Sequence, residues 1–264
     1  MLKFKIPFKN DKYLENFFKK INLHIIVKNY LTNKQSLDYQ AKNKVNKNSC
    51  RPILYDLYKI YFVIRKLKRI TCLEFGTGWS TLVMSIALEE NKKEFWKDIK
   101  KLRFSHPFEL HTVDNLKKSI ETSRKRILNY SNRPNNTKFY YSKNKVTLFN
   151  QRFANEYVKL PSINPDFIYI DGPHSHITDP IRNIRPSFSD FMPMNIDVIK
   201  IEYFLTPGTI IFVNGRSSNC NFLRDNLKRN WQFVPDIKGE HTLFILNEKP
   251  LGKFNQKQLE FYKN

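Results

Sequence analysis

The period of the apolar positions changes near residue 70. Before it, Leu14, Phe17, Phe18, Ile21 and Ile25 recur at loose helical spacing in a Lys/Asn-rich stretch that has no glycine before residue 51. This spacing predicts one or two helices, then a polar linker around Asn43–Ser49. Pro52 can open a further helix, because a proline at the first helical position loses no needed donor. Ile53, Leu57, Ile60, Ile64 and Leu67 carry that helix up to the basic stretch Arg65–Arg69.

After residue 70, short apolar runs alternate with helical segments, the pattern of βαβ units and a mostly parallel sheet. Strands are expected over Ile70–Phe75, Glu109–Val113, Lys138–Tyr141, Asp166–Ile170 and Thr209–Val213. Helices are expected over about Ser80–Glu90, Leu116–Asn129 and Phe222–Arg229. Residues 91–107 read as a charged, irregular insertion. Trp231–Val234 and Thr242–Leu246 read as a closing antiparallel hairpin, and Asp179–Leu205 is long for a connection between strands. That stretch is expected either to cover a substrate or to pack on the core as an insertion.

Composition narrows the class only a little. The chain has 264 residues, 41% hydrophobic and 14% aromatic, so it has ample material for a core. Its length suits one large domain with an appendage: a helical N-terminal extension over 1–69 and a main domain over 70–264. No stretch approaches the roughly 18 uncharged residues of a membrane span, and no secretory signal is evident. Cys50, Cys72 and Cys220 are odd in number and far apart, which argues for reduced thiols and a cytoplasmic protein. The net charge of +22 invites a nucleic-acid partner. However, the positive residues are scattered from Lys3 to Lys263 and are mostly lysine, so the charge bears on solubility more than on class.

Chemistry enters at Leu73-Glu74-Phe75-Gly76-Thr77-Gly78-Trp79-Ser80-Thr81. A strand ends on an acid, turns through two glycines and enters a helix. Glycine lets the backbone approach a ligand closely, and a helix N-terminus offers N–H groups to polar or anionic atoms. A tight turn with no ligand would look the same. A phosphate-binding loop of the GxxxxGK[ST] type is excluded, since no lysine stands where it should. A dinucleotide fingerprint fails too: Thr81 occupies the third glycine's place, and the next strand-end acid, Asp114, lies well beyond the usual spacing of about 20 residues.

Glu-x-Gly-x-Gly, then His111-Thr112-Val113-Asp114, then Phe167-Ile168-Tyr169-Ile170-Asp171-Gly172 occur in that order at strand ends. The set resembles the class I S-adenosylmethionine (SAM)-dependent methyltransferases over roughly residues 70–247. The resemblance implies an α/β Rossmann-like fold: a seven-stranded, mostly parallel sheet with flanking helices. It implies that Glu74 and the Gly76–Gly78 turn, with Thr77, Ser80 and Thr81, hold the amino-acid end of SAM, and that Asp114, with Asn115 beside it, takes the ribose hydroxyls. A carboxylate at a strand tip can accept two such hydrogen bonds without a metal. Asp114 can also cap the following helix, and the two roles are compatible.

Asp171-Gly172-Pro173-His174-Ser175-His176 follows the buried strand and resembles the Asp-Gly-x-His loop of small-molecule and sugar O-methyltransferases. The resemblance implies that Asp171 binds a magnesium ion, orients the acceptor or contacts the SAM amino group, and that His174 is the general base. An imidazole titrating near neutrality suits that task; a loop histidine capping the next segment is the plain alternative, and His176 is the weaker candidate. In the same group the next strand ends on further metal ligands. Here it reads Phe212-Val213-Asn214-Gly215-Arg216. One charged oxygen donor and one neutral amide make a poor magnesium site. Asn214 and Arg216 are expected to face the acceptor, Arg216 either gripping an anionic group or forming a surface salt bridge.

These features imply a SAM-dependent methyltransferase acting on a hydroxyl of a small molecule or sugar, with Arg182, Arg185 or Arg216 favouring an anionic acceptor. The alternatives are an RNA-binding protein or RNA methyltransferase that uses the basic surface, and a SAM-fold protein that has lost catalysis and acts as a binding partner. The [DN]-P-P-[YF] loop of base-amino methyltransferases is missing: Asp171-Gly172-Pro173-His174 stands there instead.

Overall fold

The computed structural model describes residues 4–32, 51–131, 133–173 and 193–263. Helices α1 (Asp11–Lys20), α2 (His24–Thr32) and α3 (Leu54–Lys66) come first. Asn10 starts α1 as an N-cap, its side-chain oxygen accepting from the Tyr13 amide at 2.9 Å. After α3 the chain alternates: β1 (Cys72–Phe75), α4 (Trp79–Ile99), β2 (Leu110–Asp114), α5 (Lys117–Leu128) and β3 (Thr137–Tyr141). A hairpin follows, β4 (Asn144–Phe149) and β5 (Arg152–Tyr157), then β6 (Phe167–Ile170), β7 (Met194–Asn195) and the short α6 (Asp197–Ile201). The chain closes with β8 (Ile210–Asn214), α7 (Ser217–Asn226), β9 (Trp231–Asp236), β10 (His241–Leu246) and α8 (Lys253–Lys263).

Seven strands form one sheet in the order β3-β2-β1-β6-β8-β10-β9. The first five are parallel, and β10 runs antiparallel to both β8 and β9. This is the expected seven-stranded, mostly parallel sheet with its closing hairpin. The chain begins at a central strand, moves outward through β2 and β3, then returns to build the other half from β6. A crevice therefore opens beyond the carboxyl ends of the strands where the winding reverses, between β1 and β6.

Side chains alternate across the sheet. Cys72, Leu110, Phe167, Tyr169, Ile210 and Phe212 face one core, shared with α1–α4. Leu73, Phe75, Val113, Ile168, Ile170, Ile211 and Val213 face the other, shared with β5, α6 and α7. Phe75, Phe167 and Phe212 are fully buried, each contributing on the order of 2–3 kcal/mol by removal from water. The N-terminal helices thus share one continuous core with the sheet through Leu14, Phe18, Ile60 and Ile64.

Four features differ from the sequence reading. Helix α4 runs on to Ile99, so much of the supposed insertion is helical: Asn91 and Ile99 are buried and Phe95 half-buried on one face, and the lysines and acids between them face solvent. The charged surface masked a stripe with period four. Helix α7 includes the first part of the predicted Phe222–Arg229 but starts earlier, at Ser217, and ends at Asn226; beyond it Arg229 donates to Glu248 at 2.5 Å and to the Leu205 carbonyl. The β4–β5 hairpin was not foreseen. Its turn uses Asn150 and Gln151, both at positive φ (47° and 62°), in place of the glycine that usually marks such a turn. Together with β7 it forms a second, three-stranded sheet. Helix α8 was also missed; its Tyr262 hydroxyl donates to Asp166 at 2.9 Å and its ring lies under the Arg69 guanidinium. Among the described residues, no helix is long and apolar enough to cross a membrane.

Candidate functional site

The strand registers place the predicted residues in one row. Phe75 lies beside Val113 and Ile170, and Ile170 beside Val213. One residue further on, Asp114, Gly76, Asp171 and Asn214 lie side by side across the carboxyl edge of four adjacent strands. Asp114 is also paired with Tyr141, and Asn214 with His241. Because strand side chains alternate, Asp114, Asp171 and Asn214 share the parity of the residues facing α3 and α4.

Gly76 sits at φ +92°, and its amide donates to the Val113 carbonyl at 2.8 Å. A Cβ there would lie 2.9 Å from the Gly172 nitrogen, and a Cβ on Gly172 would lie 2.6 Å from the Gly76 Cα. The two glycines touch backbone to backbone, so the Gly-x-Gly turn and the Asp-Gly loop are halves of one contact. A Cβ on Gly78 would meet only Ser80 within 4 Å, its hydroxyl at 3.6 Å and its amide nitrogen at 4.0 Å, so this glycine is sparsely covered.

Glu74 is fully buried below this row. Its two oxygens accept from the Ser80 hydroxyl at 2.5 Å and the Thr81 hydroxyl at 2.7 Å, and Thr81 in turn accepts from the Gly78 amide at 3.0 Å. Ser80 and Thr81 therefore turn inward and tie the start of α4 to β1. Burial pushes the Glu74 carboxyl up to about 7, the two hydroxyls partly offsetting that rise.

Asp114 is 5% exposed. Its Oδ2 accepts from the Thr77 amide and hydroxyl, both at 2.7 Å, and its Oδ1 accepts from the Leu116 amide at 2.8 Å. Helix α5 begins only at Lys117, so Asp114 makes a turn ahead of the helix and not its N-cap. Burial raises its pKa, and the Thr77 hydrogen bonds oppose the rise. The adjacent Asn115 Oδ1 is buried with no hydrogen-bond partner, an arrangement that favours a donor from outside the protein.

Asp171 stands exposed at the tip of β6. Arg216, beyond β8, donates from its guanidinium to the Asp171 main-chain carbonyl and, at 3.4 Å, to the Pro173 carbonyl. It braces the β6 loop. His174, His176, Arg182 and Arg185 lie outside the described residues.

Asn214 is held by a residue the sequence reading missed. The Asn214 Oδ1 accepts from the Lys59 ammonium of α3 at 2.6 Å. Lys59 is fully buried, donates also to the Gly239 carbonyl at 2.5 Å, and pairs with Asp56 at 2.9 Å. The oxygen that Asn214 would lend to a magnesium ion beside Asp171 is already engaged by a cation, so the pair does not fit that metal. The hint in sequence was Asp56-x-x-Lys59, a charged pair among the apolar and aromatic residues of the first half of α3. Tyr157 was missed as well: its ring stacks on Phe75 and its buried hydroxyl has no partner, with Asp114 among the charges that raise its pKa after burial itself.

Among the described residues, one group of metal-binding side chains clusters, at the opposite end of β2. His106, Glu109 and His111 place their ligand atoms within 4.8 Å of one another. Glu109 Oε2 contacts His106 at 3.1 Å, His111 at 2.9 Å and the Lys138 ammonium at 3.0 Å. Lys138 already compensates that carboxylate, and the group reads as a satisfied hydrogen-bond network.

No protein-family profile and no curated protein matches the chain. Solved structures do resemble it. A Podospora anserina methyltransferase, PaMTH1, solved with S-adenosylhomocysteine, has 15% identity, a TM-score of 0.49 and an alignment over 94% of this chain and 100% of that one. The O-methyltransferase TomG of Streptomyces achromogenes, solved with SAM, has 9% identity, a TM-score of 0.41 and coverage of 91% and 100%. The TDP-rhamnose 3′-O-methyltransferase CalS11 has 8% identity, a TM-score of 0.42 and coverage of 92% and 97%. At such identities the likeness is one of chain path, and the chemistry of this protein is read from its own residues.

Proposed function

We propose that this protein is a SAM-dependent methyltransferase that methylates a hydroxyl of a small molecule or sugar. The observation that carries the reading is the row Asp114–Gly76–Asp171 at the carboxyl ends of adjacent parallel strands, with a glycine turn leading into α4. The donor's chemistry fits these residues. Its ribose offers two hydroxyls to a carboxylate already surrounded by donors, and its cationic centres suit a crevice with carboxylates at Asp114 and Asp171. The sparsely covered backbone of Gly78 admits a ligand close to the main chain.

When bound, SAM supplies an electrophilic methyl group. The chain's own part is to bind, align and accept a proton. Asp114 exchanges its Thr77 hydrogen bonds for ribose hydroxyls, and the unpartnered Asn115 oxygen supplies a further acceptor beside it. Glu74 fixes the turn through Ser80 and Thr81. Asp171 orients the acceptor hydroxyl, and His174, three residues on in sequence, takes its proton. Rate enhancement then comes mainly from holding donor and acceptor in line.

Calorimetry with SAM tests the reading. Binding is expected, weakened at least tenfold by Asp114→Ala, with transfer of labelled methyl to a hydroxyl acceptor. No binding, or binding indifferent to Asp114→Ala combined with Gly76→Val in a folded protein, refutes it.

A further inference from the structure

The Lys59 ammonium occupies an oxygen cage at the edge of the proposed active site. Its three N–H donors meet three oxygens: Asp56 Oδ1 at 2.9 Å, Asn214 Oδ1 at 2.6 Å and the Gly239 carbonyl at 2.5 Å. An ammonium has three donors and no more, so every proton is used. The side chain is fully buried, which a lysine tolerates only when paired and hydrogen-bonded. The cage is built from distant parts of the chain, 155 and 180 residues from Lys59. It gathers the tip of β8, the β9–β10 turn and helix α3. Asn214 is the neighbour of Asp171 in the row of strand tips, so the ammonium stands next to the acceptor position without touching an acceptor.

We infer that Lys59 is the resident cation of this site, holding Asn214 and the strand edge beside Asp171, and that methyl transfer here needs no divalent metal. The inference deepens the methyltransferase reading and rests on it. A dication shared by Asp171 and Asn214 would compete with Lys59 for the same oxygen and would stand against a fixed positive charge. Magnesium also demands near-octahedral oxygen ligation, whereas Asn214 has its oxygen engaged and Gly215 adds no side chain. Lys59 is a positioning residue. It makes α3, and so the N-terminal helical segment, part of the site's wall.

Manganese uptake read by electron paramagnetic resonance decides the matter, since a purely structural lysine would not alter it. The full chain is titrated with Mn²⁺ in the presence and absence of S-adenosylhomocysteine. The wild type is expected to take up no Mn²⁺ in the micromolar range. Asn214→Asp alone should take up none either, because the new carboxylate pairs with Lys59. Lys59→Met combined with Asn214→Asp removes the ammonium and sets a second carboxylate beside Asp171, and should gain at least tenfold in Mn²⁺ affinity. A chelator should leave wild-type methyl transfer unchanged. Micromolar uptake by the wild type that is lost in Asn214→Ala, or uptake by Asn214→Asp alone, would overturn the inference. So would a folded double variant that gains nothing. Should the double variant not fold, the first two arms still decide. Calorimetry with S-adenosylhomocysteine on the same samples separates the two layers: absent binding defeats the methyltransferase reading, while the Mn²⁺ results still report on the ammonium.

Discussion

Replacing Glu74 by glutamine should stabilise the protein at pH 8 and leave it nearly unchanged at pH 5. The carboxyl is fully buried and its pKa is pushed from 4.5 to about 7 by burial. The folded state therefore prefers the protonated form. Below pH 4.5 both folded and unfolded chains hold the proton and ionisation costs nothing. Between 4.5 and about 7 the unfolded chain ionises first, so stability falls as pH rises. Above 7 the loss is complete, about 3 kcal/mol at roughly 1.4 kcal/mol per unit. Glutamine removes that cost but gives up one of the acceptors used by Ser80 and Thr81, a loss of about 1 kcal/mol. The net gain at pH 8 is about 2 kcal/mol, or roughly 5 °C in Tm for a chain of this size. Urea melts of both proteins at pH 5 and pH 8, without cofactor, measure it. An equal effect at both pH values, or a destabilisation at pH 8, would show that Glu74 is not a buried acid held against its ionisation. SAM affinity of the same variant should fall less than tenfold, because glutamine still ties Ser80 or Thr81 to the turn.

Three further outcomes follow from other contacts. Gly172→Ala sets a Cβ 2.6 Å from the Gly76 backbone, and should cost about 1–3 kcal/mol in denaturant melts and weaken SAM binding. Arg216→Ala removes the brace on the Asp171 and Pro173 carbonyls; it should raise KM for the acceptor while SAM affinity measured by calorimetry stays put. His111 is 1% exposed, with burial lowering its pKa from the ordinary 6.5 despite Glu109. Its neutral form is favoured in the fold, so the stability it contributes is present above pH 6.5 and is lost as pH falls below that value. His111→Gln should flatten this part of the stability profile in melts between pH 5 and pH 7.5.

Sequence alone settled what depends on near neighbours. Short apolar runs located seven strands to within one or two residues, and glycines and acids at strand ends marked Gly76, Asp114 and Asp171. The net charge of +22 said little about the proposed site, whose row of strand-tip residues is made of acids, a glycine and an amide. What sequence could not supply were pairings that no local period encodes. The β4–β5 hairpin turns on Asn150 and Gln151 without glycine, and α4 hides its apolar stripe among charges up to Ile99. Gly172 looked like a loop residue, yet it is fixed by contact with Gly76, just past the end of a different strand. Lys59 looked like one lysine among many in a basic chain. Only the packing of α3 over the carboxyl edge of the sheet brought its ammonium to Asn214 and Gly239, because a buried charge is stable only where distant segments converge to provide its partners.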